Sequence, residues 1–448
     1  MEKENKNIVI IGNGISGITC ARNIRKMDTK ARIQVISGET PYFFSRTALM
    51  YIFMGHMKFE NTKPYEDWFW DKNRIELIHD WVQSVDFQLK KLQLKNSPKL
   101  EYDVLVLATG SVPKTFGWPG QDLDGVQGLY SKQDLDIMEE NAQRTKEAVI
   151  VGGGLIGIEM AEMLNSRSIS VTILVREKGF WGNMLSLEES QLIERQIRNH
   201  HIKIKTATQL KAINPDEKGR VTSVETDKGE KIPCQFVGLA TGVRPNVDWL
   251  KGSGLELNQG ILVDEFFQTN KDGVYAIGDC VEFNDSPGKD GRRLEQVWYT
   301  GRIHGEILAY NLTHSPKSYQ PGPWFNSAKF LDMEFQNYGW IPNKAVEGMK
   351  SFYWEHPNGR MAFKAVFDQN DFLKGINAFG LRLSHNYFDK ALKENWTIDQ
   401  TMAGIFKADF TPEFTGNILK DILDAYNLQF QKSIMPQKKK RIWERLWK

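Results

Sequence analysis

Two glycine patterns of identical spacing, Gly12-x-Gly14-x-x-Gly17 and Gly152-x-Gly154-x-x-Gly157, constrain this chain more than any other feature. Each follows a continuous apolar run, residues 8–11 and 148–151, of the kind expected for a strand buried on both faces of a parallel sheet. A helical stretch follows each, to about residue 27 in the first case and over residues 158–166 in the second. Another apolar run then follows, at 32–36 or 171–175. In this setting the first glycine permits a tight turn, the second lets backbone approach a diphosphate, and the third lets helix and strand pack closely. The helix N-terminus adds free N–H groups and a partial positive charge. One such turn is compatible with other α/β folds. Two in the same frame, 140 positions apart, predict two Rossmann-like dinucleotide-binding domains.

Two dinucleotide sites in one chain imply one tightly held cofactor and one that comes and goes. FAD with NADPH or NADH is the chemically sensible pair, because a nicotinamide hydride can pass directly to a flavin ring stacked on it. An acidic residue should close the second strand of each unit and hold ribose hydroxyls. In the first unit Glu39 is the nearest candidate, set late by Gly38. In the second, Val175 occupies the expected place and is followed by Arg176 and Glu177. Arg176 favours the 2′-phosphate of NADPH over the free hydroxyl of NADH.

Two further strands, residues 104–107 and 236–239, each run into Ala-Thr-Gly and then a turn with proline, Pro113 or Pro245. Their likeness predicts that each closes its own sheet and hands the chain to the other domain. A short strand at 274–277 leads into Gly278-Asp279. Beyond about Gly322 the pattern changes to an α+β region, with strands expected at 352–354, 362–367 and 373–379 and helices at 387–394 and 417–430. No low-complexity linker separates these parts, so they should pack closely.

Composition removes other function classes. At 448 residues two or three domains are expected, and a formal charge of +2 gives no reason to expect nucleic acid binding. Cys20, Cys234 and Cys280 are far apart with no CxxC, which argues against disulfides, structural zinc and cysteine-ligated iron–sulfur clusters. The eight histidines show no metal-ligand spacing, so no metal is expected. A reducing, cytoplasmic compartment suits this cysteine usage. Residues 1–7 are polar and no stretch approaches the ~20 apolar residues of a membrane span, so the chain reads as soluble and unexported. The C-terminal residues 436–448 are different. They carry Ile442, Trp443, Leu446 and Trp447 at helical spacing among six basic residues. That composition suits either a peripheral membrane or partner-docking helix, or a tail packed on its own domain.

The ordered motifs GNGISG, LATGSVP, VGGGLIGIE, LATGVRPN and VYAIGDC, spread over residues 7–320, resemble the pyridine nucleotide–disulfide oxidoreductase superfamily. Phe44-Ser45-Arg46 followed by Leu49 is similar to the aromatic-x-Arg…Leu segment of its rubredoxin and ferredoxin reductase branch, which includes the flavin portion of assimilatory nitrite reductases. The resemblance implies an FAD domain from residues 1–118 and 245–322, with an NAD(P) domain, 119–244, inserted. It also implies a C-terminal α+β domain, 323–435, like the dimer-interface domain of some relatives, which leaves a homodimer open. It places flavin contacts at Gly12, Gly14, Ser16, Gly17, Glu39, Arg46, Val82, Thr109, Gly110, Gly278 and Asp279, with Gln296, Val297 and Trp298 near the isoalloxazine. Nicotinamide contacts fall at Gly152, Gly154, Leu155, Ile156, Gly157, Arg176 and Gly242. Glu159 lies where nicotinamide stacks on flavin.

The chain departs from the family pattern in two places. Arg46 aligns with the position of a redox cysteine in the peroxidase and oxidase branch, and Tyr51 stands where ferredoxin reductases often carry a lysine. Thiol chemistry through the flavin is therefore not expected. Glu159 and Arg46 are the candidate catalytic residues. The bland alternatives are a first-turn helix residue for Glu159 and a surface residue for Arg46. The expected activity is NAD(P)H-dependent electron transfer through FAD to a small acidic iron–sulfur protein or partner redox subunit. The alternatives are an NAD(P)H oxidase, a quinone or small-molecule reductase, and a non-enzymatic flavin-binding signalling protein.

Overall fold

A computed structural model of the chain describes residues 6–287, 291–411 and 417–437. Its first sheet is parallel and five-stranded, in the order Ile75–His79, Arg32–Ser37, Asn7–Ile11, Val104–Leu107, Val274–Ala276. The apolar run Ile8, Val9, Ile10 and Ile11 is buried at its centre, as a strand covered on both faces requires. Helix Ile15–Met27 follows the first glycine turn and packs against the later helix Trp298–Thr313. Strand order reverses beside Asn7–Ile11, and the crevice at such a switch point, beyond the carboxyl ends of the strands, is where α/β sheets bind ligands.

The second sheet repeats this plan. Its parallel order is Lys203–Lys205, Ser170–Leu174, Glu147–Val151, Phe236–Leu239, Val126–Gln127. Helix Leu155–Ser166 starts three residues earlier than the expected 158, because Gly154 already serves as its N-cap.

The Ala-Thr-Gly strands do not close their sheets. Val104–Leu107 and Phe236–Leu239 are interior strands, each next to the strand that precedes a glycine turn. All four residues of each are buried, and an edge position would leave such a run uncovered. The segments after them do carry the chain between the two sheets, and they pair with each other. Ser111–Pro113 lies antiparallel to Val243–Pro245. Each triplet's threonine fixes the other's crossing: Thr109 Oγ1 donates to the Asn246 carbonyl (3.0 Å), and Thr241 Oγ1 to the Lys114 carbonyl (2.9 Å).

The third region is a five-stranded antiparallel sheet, ordered Phe325–Phe330, Met333–Gly339, Leu373–Phe379, Ala362–Asp368, Met349–Glu355. The first two strands and the short helix Ile398–Ala403 add to the elements expected from sequence. Helices His385–Lys393 and Ile418–Phe430 cover one face through Phe388, Ile422 and Tyr426. Phe330, Met333, Phe335 and Phe379 join the core of the second nucleotide sheet with Phe180 and Leu192. Close packing without a linker is therefore observed, and Asn377 Nδ2 donates across this seam to the buried Glu189 carboxylate (2.8 Å). No helix among the described residues is long and apolar enough to cross a membrane. The basic, tryptophan-bearing stretch from Lys438 to Lys448 lies outside the described residues.

Candidate functional site

The two glycine turns have the same construction. Gly12 and Gly152 adopt φ of +114° and +127°, and a Cβ on either would run into the carbonyl of the neighbouring sheet strand's end, Ala108 or Ala240. Gly17 and Gly157 press against the carbonyls of Gly12 and Gly152, so they seat the helix and line neither cleft. Gly14 and Gly154 have no atom within 4 Å of where a Cβ would be, which leaves room for a diphosphate. Neither following helix carries an acidic residue in its first turn, so neither brings a carboxylate of its own to the free N–H groups and positive helix end. Both cradles therefore fit a dinucleotide. Glu159 lies beyond the first turn, which removes the reading of it as a first-turn residue favoured by the helix dipole.

The first cleft, about 790 Å³, is lined by Gly12, Gly14, Ser16, Glu39, Arg46, Val82, Thr109, Gly110, Asp279 and Trp298 among others. Gly278 lies behind this wall. It has φ +79°, and a Cβ there would come within 3.0 Å of Ser16 Cβ. The Asp279 carboxylate accepts from Ser111 Oγ (3.1 Å), which in turn accepts from Gln296 Nε2 (2.9 Å). Burial raises the Asp279 carboxyl above its usual range.

Arg46 is not a free surface residue. Its guanidinium grips Glu39 in a two-pronged pair (2.8 and 2.6 Å), donates to the Tyr130 carbonyl (2.6 Å), and lies over the Phe44 and Tyr130 rings. Glu39 Oε1 also accepts from the Lys132 backbone N–H (2.9 Å). Both oxygens of the expected ribose carboxylate thus have protein partners.

The second cleft, about 1340 Å³, holds Gly152, Gly154, Leu155, Ile156, Arg176 and Gly242, with Lys114 and Phe116 among its other residues. Arg176 bonds its neighbour Glu177 (2.8 Å), and its side chain is 68% exposed. Val175 is buried, and a Cβ on Gly153 would meet its Cγ1 at 2.7 Å. The residue in the expected ribose position is therefore a packing residue. Gln296 and Val297 line this cleft, while Trp298 lines both.

The clefts meet at Thr47, Met50, Ile156, Glu159 and Trp298. Glu159 is half-buried there, and its carboxyl is pushed up to about 7 by burial, with a further push from Glu162. Among the described residues it forms no ion pair. Tyr51, at the place of the expected lysine, is itself raised by burial and by the charges of Glu162 and Glu159. Arg167, at the C-cap of the helix bearing Glu159, donates to the Phe53 carbonyl (2.6 Å) and pairs with Glu139 (2.7 Å). It ties that helix to segment Leu49–Phe53, the other wall of the junction. Cys20, Cys234 and Cys280 are all buried and line neither cleft.

Sequence reasoning missed Ser111, Tyr130, Thr47, Met50 and Trp81. The repeated Ala-Thr-Gly triplet could have pointed to Ser111, which directly follows it. The aromatic-x-Arg…Leu segment, which spans Thr47 and is followed by Met50, could have pointed to those two, while Tyr130 and Trp81 arrive from segments with no motif.

The family model described as "Pyridine nucleotide-disulphide oxidoreductase" matches residues 6–304. The chain is 27% identical to the assimilatory nitrate reductase electron transfer subunit of Bacillus subtilis over 87% of its own length and 49% of that protein. It therefore spans about half of that relative. It is 28% identical to rhodocoxin reductase of Rhodococcus erythropolis, covering 72% of this chain and 76% of that one. It is 33% identical to an NADH oxidase of Methanocaldococcus jannaschii over 62% and 63%. A ferredoxin reductase from Rhodopseudomonas palustris shares the fold, with a TM-score of 0.80 at 24% identity over 91% of this chain and 98% of that one. With two dinucleotide folds, two matching cradles and a model match over most of its length, the chain belongs to the pyridine nucleotide-disulphide oxidoreductase family, whose cofactors are FAD and NAD(P)H.

Proposed function

We propose that this oxidoreductase takes electrons from NAD(P)H through FAD and delivers them to a small iron–sulfur protein or partner redox subunit. The observation that carries this reading is the meeting of the two clefts at Thr47, Met50, Ile156, Glu159 and Trp298, with none of the three cysteines in either. When bound, the flavin supplies hydride acceptance and onward electron release. The residues of the chain bind and orient. Gly12, Gly14, Ser16 and the start of helix Ile15–Met27 face the flavin's diphosphate. Val82, Thr109, Gly110 and Asp279 line the rest of that cleft, and the Arg46–Glu39 pair braces its wall. Gly152, Gly154, Leu155 and Gly242 receive the nicotinamide dinucleotide, and Arg176 favours NADPH. Glu159 holds or releases a proton where the two cofactors meet, which is positioning and electrostatics without a covalent intermediate.

The names of the relatives support an electron-transfer role: one is an electron transfer subunit and another a rhodocoxin reductase. In this reading the domains divide as 1–118 with 245–322, 119–244 and 323–435, and a homodimer forms through the third.

An anaerobic absorbance titration with NADH and NADPH, followed by candidate acceptors, tests the proposal. A flavin band that bleaches promptly with NADPH and recovers only on adding an iron–sulfur carrier supports it. Rapid recovery on oxygen alone selects an oxidase instead, in line with the similarity to an NADH oxidase. Flavin that neither nucleotide reduces overturns both.

A further inference from the structure

The adenosine end of the first cleft lacks a free acidic residue. Glu39 has both carboxylate oxygens engaged by Arg46 and the Lys132 N–H. The residue before it is Gly38, and the reason is steric. A Cβ on Gly38 would meet the Trp81 indole at Cγ, 2.6 Å away, with two other ring atoms closer still. The indole therefore lies flat against the backbone at the carboxyl end of strand Arg32–Ser37. It lines the first cleft and is 54% exposed, so its free face is open to that cleft.

The ring is held by its backbone. The Trp81 N–H donates to Asp80 Oδ1 (2.7 Å), and its carbonyl accepts from the Lys95 N–H (2.9 Å). Asp80 is buried, and it also takes the backbone N–H and side-chain amide of Asn96 (each about 3.0 Å). Two loops thus fix the peptide from which the indole projects, and Gly38 supplies the flat seat beneath it. Half-buried Trp249, on the helical turn Asp248–Leu250 that packs against strand Val82–Asp86, lines the same cleft.

We propose that Trp81, seated on Gly38, is the surface on which the adenine of the flavin dinucleotide stacks, so that this chain recognises adenosine by an aromatic face where its nearest carboxylate, Glu39, is already held by Arg46 and Lys132. The proposal rests on the first cleft holding FAD. An exposed, preorganised indole suits a heteroaromatic base, because stacking needs a flat π-face and loses little conformational entropy when the ring is already fixed.

The test strips the flavin from the purified full chain and titrates back FAD or FMN, which lacks the adenosine, into wild type, Trp81→Ala, Trp81→Phe, Gly38→Ala and the double variant. Loss of a base–aromatic stack should raise the FAD dissociation constant of Trp81→Ala roughly 5- to 100-fold. FMN binding should be unchanged, and Trp81→Phe should keep most of the affinity. Gly38→Ala should reproduce the loss by displacing the indole, yet add nothing on top of Trp81→Ala. FAD binding by Trp81→Ala within twofold of wild type overturns the inference. So does a parallel fall in FAD and FMN affinity, which would place Trp81 in the stability of the domain. If wild type binds neither flavin, the functional reading itself fails, an outcome distinct from the other two.

Discussion

At the first nucleotide site, the glutamate just past the second strand, Glu39, is gripped by an arginine from a later segment; at the second, Glu177, just past the matching strand, is met by its own neighbour. Glu39 and Arg46 leave 17% and 31% of their side chains exposed, and the arginine also bonds the Tyr130 carbonyl. Glu177 and Arg176 leave 29% and 68% exposed. The same backbone plan has thus been embedded in two ways. One site is braced by distant segments and is suited to a cofactor that stays. The other is wider and carries its charge on a solvated side chain, which suits a cofactor that exchanges.

The turns themselves should behave alike, and this is the largest effect expected. Gly12→Ala and Gly152→Ala each force a side chain into a left-handed conformation and into a carbonyl. Each should cost about 3 kcal/mol or more. Denaturant unfolding should show similar losses for the two, with flavin content falling only in Gly12→Ala. A Gly12→Ala protein of wild-type stability would break the likeness on which the comparison stands.

Arg46→Ala comes next. It leaves the half-buried Glu39 without its cation, a loss of about 2 kcal/mol after allowance for partial exposure of the pair. The purified variant should also lose FAD on dialysis. If its flavin is retained and its melting temperature is unchanged, the first site is not braced in the way the geometry indicates.

Much of this was legible in sequence, and the reasons are local. A glycine fingerprint declares its turn because only glycine tolerates φ near +120° against a carbonyl, as at Gly12 and Gly152. The hairpin Phe325–Phe330 with Met333–Gly339 was not legible. Its two-residue turn is Leu331-Asp332, with Leu331 at φ +50°, and carries none of the Gly or Asn that normally marks such turns. Helix Ile398–Ala403 did carry a signal, a Thr397–Gln400 capping box, but at six residues it was too short for periodicity to support it. The Arg46–Glu39 pair and the Trp81 seat come from tertiary folding. Nothing within either segment says where the partner will be.

The junction between the sites gives an effect of no more than similar size that appears only as pH changes. Burial, then Glu162, raises the Glu159 carboxyl from 4.5 to about 7, so the folded chain holds a proton that the unfolded chain has released. Stability should therefore fall as pH rises from about 4.5 to 7, and change no further from this source above that. Glu159→Gln removes the ionisation. It should match wild type at pH 4.5 and be more stable at pH 8 by on the order of 2 kcal/mol. Parallel stability–pH curves for the two proteins would mean that Glu159 is solvated as an ordinary surface carboxylate.

The smallest effect on stability, and the sharpest contrast with Arg46, belongs to Arg176→Ala. Its pair with Glu177 is solvated and formed between adjacent residues, so removal should move stability by less than about 0.5 kcal/mol. FAD should remain bound, because this arginine lies in the other cleft. What should change is the choice of nucleotide. A guanidinium that meets a 2′-phosphate contributes a charge-assisted bond that NADH cannot make. KM for NADPH should then rise roughly tenfold, with KM for NADH and both kcat values little altered. Steady-state kinetics on the two nucleotides decide it. An equal rise in both KM values would make Arg176 a general electrostatic attractor, and no rise in either would leave Glu177 and the Gly152–Gly154 cradle as the determinants. Either result would narrow the difference between the sites to how firmly each is braced.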